Sequence, residues 1–451
     1  MAGGTWIAQN KVQPGAYINF ESVPNPGSSV GTRGIMTMPV PMTWGPADTI
    51  IYLYSTDLLG GNSLAKIGMT AFDPESLIYR EGLSNAYLCK LYRMDTGGTK
   101  ATGSLGALGV AAKYLGTTGN KISAAVQKNA VDDTLFDIIT YFAGVEKARQ
   151  TVPVTGEGLL NNDWVDFNLP DSQHISEEAG VTLVDGTNGT VSTATWAQYL
   201  AAADQEIWHV MAVPDNTPAV KAQIAAYIKN KRENTGRKVQ AVLVDYNTAN
   251  YEGIISVDQG YVNTSGEDVT TTIFTATVAG MTAGANINQS NTFRELTSAV
   301  SIIDPIAAED IDAALMSGKF IIDKRQDGVI VVKQDINTLH SFTPTKDRVF
   351  SKNRPLRVLD EIGNQVLVIF EGSYIGKVDS NALGRNVFKA HVISFMNELQ
   401  DMGAIQNFDA TTDIVVGPGQ EVDAVVCELW VQPVDSMEKL YMRVYVSGGI
   451  V

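Results

Sequence analysis

Apolar residues follow two rhythms along this chain. In some stretches they alternate with polar ones, and in others they recur every three or four positions. The first rhythm marks strands and the second marks helices. Residues 1–32 show neither, apart from a strand at Ala16–Glu21; the Gly, Pro, Asn and Ser on either side read as extended linkers. Ile35–Pro41 is a strand interrupted by proline, which places it at a sheet edge or ends it early. Ser76–Gly82 is a short helix and Tyr87–Tyr92 a buried strand.

At Asp95-Thr96-Gly97-Gly98 the texture changes. Up to about Gly180 the runs are short and separated by turn residues: Gly109–Leu115, Lys121–Gln127, Leu135–Ala143 and Trp164–Leu169. In the third, Phe136, Ile138, Thr140 and Phe142 alternate with Leu135, Asp137, Ile139 and Tyr141. This spacing predicts a small β-sandwich inserted in the chain.

Strands and helices alternate after Thr195. Trp196–Ala203 is helical and Ile207–Val213 is a buried strand. A helix then starts at the N-cap Thr217 with Pro218 in its first position, and it stops at Gly236. Val239–Val244 and Gly253–Val257 are strands, and Thr271–Ala283 and Ala307–Met316 are helices. A hairpin pairs Lys319–Ile322 with Val329–Val332 around Asp327-Gly328. This order predicts an open α/β sheet.

Beyond Leu339 the reading is mixed. Asp347–Arg357 is a loop carrying Lys352, Arg354 and Arg357, and Gln365–Phe370 fits either a strand or a buried helix. Arg385–Met402 is an amphipathic helix with Phe388, Val392, Phe395, Leu399 and Met402 on one face. Two terminal strands follow, Val422–Pro433 and Leu440–Val446, around the polar turn Val434–Lys439. In the second, Leu440, Met442, Val444 and Val446 point one way, and Tyr441, Arg443 and Tyr445 the other. A terminal strand with an open edge needs a partner, and another copy of the same chain is the expected one.

Composition narrows the function. The 451 residues are long enough for several domains. Net charge is −16, which disfavours direct contact with nucleic acid or anionic membranes. Charged residues are only 18% of the chain, as in proteins that hide surface in an assembly. Cys89 and Cys427 form no CxxC pattern and read as small buried hydrophobes. The first residues lack a signal-peptide core, and no apolar run approaches the ~20 residues of a membrane helix. A soluble protein folded in a reducing cytoplasm is expected.

Candidate chemistry is sparse. His174, His209, His340 and His391 form no ligand pair, so structural roles are expected. Gly116–Ile122 lacks the ending of a phosphate loop, and Gly103, Gly106 and Gly109 do not make GxGxxG. No GxSxG occurs, and Ser256 lies inside a strand run. Asp304, Glu309, Asp310 and Asp312 cluster at a helix start, where acids are favoured. No metal or cofactor site is expected. Arg385 and Lys389 at the start of their helix, with Glu398 and Asp401 near its end, oppose the helix dipole.

The order of these textures, and several short motifs, resemble the tail sheath proteins of contractile bacteriophages and R-type bacteriocins. The motifs are Tyr251–Val257, Ala279-Gly280-Met281, Asp335–Leu339, Arg357–Asp360, Tyr374–Val378, Gly384-Arg385 and Pro433–Tyr441. The resemblance implies a helical tube of identical subunits around an inner tail tube, contracting to drive that tube through the host envelope. It implies an α/β domain like the non-catalytic subtilisin-like sheath domain, without catalytic residues. It also implies extended terminal arms that join sheets on neighbouring copies.

The expected organisation is an extended arm at 1–33 and a discontinuous α/β domain at 34–97 and 181–343. An inserted β-sandwich spans 98–180, and a tube-proximal α+β domain spans 344–451. Tyr17, Ile18, Phe20, Leu440, Tyr441, Met442, Val444 and Tyr445 are the arm residues, and Arg385 and Lys389 face the tube. Partners are copies of the chain, the inner tube protein, and baseplate and tail terminator proteins. The place of action is a virion tail assembled in the bacterial cytoplasm. The alternative reading is an α/β hydrolase-like enzyme with an accessory β module; a cell-surface lattice protein is disfavoured by the missing secretion signal.

Overall fold

The computed structural model describes residues 2–4, 15–17 and 33–446. It divides into two units: 1–31 with 365–432, and 32–364 with 433–451. Each is taken in turn.

The larger unit is built on a seven-stranded sheet. Its order is Lys319–Phe320, Ile254–Val257, Gln240–Val244, Val210–Ala212, Ile35–Val40, Leu88–Arg93, Ile50–Tyr54. All neighbours run parallel except the last pair. This is the open α/β sheet expected from the alternation of strands and helices. Of the two outcomes expected from the proline, the edge position fails, since Ile35–Val40 lies in the middle of the sheet, while pairing on one side does end early. Its neighbour Val210–Ala212 is registered only with Met36 and Thr37. Pro39 therefore sits beyond the end of that ladder, where a missing N–H costs nothing.

The helix Thr271–Gly284 packs against this sheet and against the helix Leu77–Leu83. Its small residues make that approach possible. A Cβ on Gly280 would lie 2.1 Å from the Gly82 carbonyl oxygen. Another correction concerns 319–332. Lys319–Phe320 joins the large sheet, and the hairpin pairs Ile322–Lys324 with Ile330–Val332. The helix read at Ala307–Met316 is shorter, Ile311–Met316.

The β-sandwich lies between Asp95 and Thr190, and the two connecting segments are bridged at Thr96–Thr190 and Thr99–Thr187. One sheet has the order Val145–Pro153, Leu135–Phe142, Ile122–Lys128, Glu178–Thr182, and the other Val165–Asn168, Leu108–Leu115, Lys100–Leu105. Alternation does what it predicted: Leu108, Val110 and Ala112, and Ile122, Ala124 and Val126, all face the core between the sheets. Trp44 closes one end of that core, stacked on Trp164.

The region read as a loop at Asp347–Arg357 is instead a short 3-10 turn, Arg348–Ser351, followed by the 21-residue helix Asn353–Ser373. The same helix absorbs Gln365–Phe370 and settles that ambiguity. Arg357 is buried within it, donating to the Gln289 carbonyl. The start of the helix was read as a loop because its charged and polar residues, Asn353, Arg357 and Asp360 among them, are buried in the core instead of solvated.

In the smaller unit, Phe388 of the helix Ala382–Asp401 meets Phe370 and Tyr374 edge-on. Phe388, Val392, Phe395 and Leu399 are buried as expected, whereas Met402 is exposed. Asn381 caps the helix by accepting from the Gly384 N–H at 2.9 Å. Ala2–Gly4 pairs in parallel with Gly15–Tyr17. Of the expected strand Ala16–Glu21, residues 18–21 lie outside the described residues, and so do Ile18 and Phe20 of the proposed arm.

Candidate functional site

The large sheet protects its edges. One edge strand is two residues long, and the other is guarded by Lys66, whose ammonium bonds the Tyr52 carbonyl at 2.9 Å. The C-terminal region does not do this. Ile414–Pro418 pairs with Val425–Leu429 in register Ile414–Leu429 to Pro418–Val425, and the pair forms a sheet of only two strands. Ile414 is buried, but Val415, Val426 and Trp430 are exposed, and Val422 at the tip is 92% exposed. A two-stranded sheet is marginal in water and gains from added strands. Cys427 is exposed on this hairpin, which corrects its reading as a buried hydrophobe. Cys89 is buried in the large sheet.

The chain's last segment has the complementary problem. Residues 434–446 join no strand among the described residues, so the expected strand Leu440–Val446 is not formed within this chain. Leu440, Tyr441, Met442, Val444, Tyr445 and Val446 are all exposed, Tyr441 to 90%. The root of the segment, by contrast, is fixed to the larger unit. Lys352, itself 8% exposed, forms ion pairs with Asp435 at 3.2 Å and with Glu438. Thr292 Oγ1 and Gln334 Nε2 donate to the two Glu438 carboxylate oxygens at 2.8 and 2.6 Å. Burial alone would raise the Glu438 carboxyl, but Lys352, Gln334 and Thr292 hold it below the usual range. The arrangement is a clamped root with a free apolar arm. Sequence reasoning found the arm but missed the clamp, because Lys352 is 83 positions from Asp435 and was assigned to a loop.

Arg385 and Lys389 occupy the first half of the helix Ala382–Asp401, both half-buried and neither in an ion pair among the described residues. Val387, between them, and Leu383, just before Arg385, are exposed. Tyr17 ends the Gly15–Tyr17 strand.

The residues that would have to carry hydrolase chemistry are engaged elsewhere. Ser256 is fully buried, accepting from the Tyr246 N–H and donating to Asp258. His209 Nδ1 accepts from the Ile35 N–H, His340 Nδ1 meets the Thr338 carbonyl, and His391 Nδ1 meets the Tyr374 hydroxyl at 2.6 Å. His174 is exposed. Among the described residues no group of three or more His, Cys, Asp or Glu side chains could hold a metal ion. Among the described residues no helix is long and apolar enough to cross a membrane.

Comparison with known proteins identifies what this geometry belongs to. Models of the phage tail sheath β-sandwich, central and C-terminal domains match residues 96–188, 189–338 and 345–447. The chain is 33% identical to the phage-like element PBSX protein XkdK of Bacillus subtilis, over 99% of this chain and 100% of that one. The crystal structure of a sheath tail protein from Desulfitobacterium hafniense is 40% identical, with a TM-score of 0.82 over 95% of this chain and 99% of the other. A sheath tail protein from Listeria innocua is 31% identical, with the same TM-score over 92% and 95%. At 12% identity the contracted helical sheath of the anti-feeding prophage shares the fold, with a TM-score of 0.58 over 96% and 99%. The chain therefore belongs to the phage tail sheath protein family: it is a structural subunit of a contractile tail sheath, not an enzyme.

Proposed function

We propose that this subunit polymerises helically around an inner tail tube by lending its arms to neighbouring copies. The free apolar arm with its clamped root is the observation that carries this reading. A strand added to an open edge gains backbone hydrogen bonds of roughly 0.5–1.5 kcal/mol each. The hairpin Ile414–Pro418 with Val425–Leu429 is the edge we assign to receive it. A contact repeated head to tail with a rise and a turn grows an open helix instead of closing a ring. The clamp at Lys352 keeps each arm tied to its own body while bodies slide during contraction.

In this reading residues 1–33 and Leu440–Tyr445 are the arms, with Tyr17, Ile18 and Phe20 on the first. The α/β domain spans 34–97 and 181–343 and resembles the subtilisin fold without its chemistry. The sandwich spans 98–180, and 344–451 lies nearest the tube. Arg385 and Lys389, both without ion pairs among the described residues, supply positive charge toward an acidic tube surface, and baseplate and tail terminator proteins cap the polymer's ends. The test is electron microscopy of the full chain and of a chain ending at Lys439. Tubes from the first and none from the second support arm exchange. Equal tube formation by both overturns it.

A further inference from the structure

A groove of about 910 Å³ opens on the larger unit beside the root of the C-terminal arm. Phe293, Leu315, Met316 and Phe342 line it, and three of the four are at least half exposed or nearly so: Phe293 49%, Met316 73% and Phe342 50%. Glu438 and Lys439 form part of its wall. The arm therefore leaves the body from inside this groove. Its next residues, Leu440 to Val446, are apolar and exposed, and they contain one charge, Arg443. Two acids line the groove: Glu438 is paired with Lys352, and Asp312 has no ion-pair partner among the described residues, while Lys333, Arg348 and Lys439 line it as well.

We propose that in the unassembled subunit the arm Leu440–Val446 folds back into this groove, so that the chain is latched until a neighbour takes the arm. Tethering selects the occupant. Seven extended residues span about 23 Å, enough to double back along the groove from Lys439. A segment tied at the rim by so short a linker acts at an effective concentration near millimolar, well above that of any free competitor. Leu440, Met442 and Val444, on one face of the extended arm, cover the exposed aromatic and methionine side chains and leave Arg443 on the opposite face, away from the basic side chains of the lining. The ion pairs from Lys352 to Asp435 and Glu438 are the fixed hinge about which the arm turns. The inference rests on the arm-exchange reading, and it adds a closed state that competes with exchange. A latch closed nine-tenths of the time lowers the apparent affinity for a neighbour about tenfold.

The test uses the full chain and the variant Met316→Asp/Phe342→Asp. Both side chains are exposed, so the core is untouched. Trypsin cleavage after Arg443 is followed by mass spectrometry in dilute, monomeric protein, where it reports the open population. Light scattering follows polymerisation at higher concentration. The latch predicts cleavage about tenfold faster in the variant and a shorter polymerisation lag. Equal cleavage in both proteins overturns the latch. Slower polymerisation by the variant also overturns it, making the groove an intersubunit contact. If neither protein polymerises under any condition, arm exchange fails, while the cleavage ratio still reports on the latch.

Discussion

Arg93 is fully buried, yet each of its donor groups is engaged. It donates to the carbonyls of Met42, Gly45 and Leu115 and pairs with Asp95. Asp95 in turn accepts from the Met42 and Gly189 N–H groups. Burial alone would raise the Asp95 carboxyl, but these bonds and the Arg93 charge hold it below the usual range. The pair thus ties the end of the Leu88–Arg93 strand to both connections of the sandwich. Arg93→Met leaves Asp95 buried and unpaired, and denaturant melts should show a loss of about 3–5 kcal/mol. His209 gives a prediction of pH dependence. Burial, with the Arg33 and Lys90 charges, pushes its imidazole down to about 3, and its neutral Nδ1 accepts from Ile35. A folded pKa below the free value of 6.5 means stability that is complete above pH 6.5 and is lost as pH falls toward about 3. Between pH 6.5 and 4.5 the loss is about 2–3 kcal/mol. Carboxylates held below their free range, such as Glu206 and Glu438, add to the loss as pH nears 4.5, but they do so equally with and without His209, so the difference between the two proteins isolates it. Thermal melts of His209→Gln should be flatter there than those of the wild type; parallel curves would remove the assignment.

Among the elements, the helix Thr271–Gly284 shows best how sequence constrains packing. Gly280 and Gly284 face the Gly82 and Asn85 carbonyls at distances that leave no room for a Cβ. Gly280→Ala would gain helix propensity but must push the helix Leu77–Leu83 away, with a net cost of roughly 1–3 kcal/mol. A rise in melting temperature would contradict that packing. This helix was legible from its run of small residues, as the sandwich was from period-two alternation and the Pro218 helix from its cap. What was not legible has a physical cause in each case. Pro39 argued for an edge, but an interior strand tolerates proline once its neighbour's ladder has ended. Asn353–Ser373 hid its period because Asn353, Arg357 and Asp360 are buried polar residues bonded to distant partners. Leu440–Val446 has the pattern of a strand and no strand partner among the described residues, and only a structure can report a missing partner. Leu440–Val446 was singled out by its alternation and Arg385 by its place against the helix dipole, and their roles are those proposed above. The Lys352 clamp could not be, since ion pairs distant in sequence leave no periodic signal.

At the level of the whole molecule, the arm exchange proposed above would make each subunit both a donor and an acceptor. That asymmetry yields a prediction that does not depend on any single contact energy. A chain ending at Lys439 keeps the hairpin Ile414–Pro418 with Val425–Leu429, so it can receive an arm, but it has none to give. Mixed with the full chain, it joins the growing polymer and stops the run of donated strands at its own position. Because the contact is head to tail, one such stop blocks every later addition along that run. The mean run between stops is the reciprocal of the truncated fraction, so tubes in electron micrographs should shorten steeply even when truncated copies are a small minority. A mutant that merely folded poorly would stay out of the polymer and leave the remaining tubes at full length. Sheaths held together by side-chain contacts between bodies would admit truncated copies without shortening. The length distribution at low doping separates these three cases.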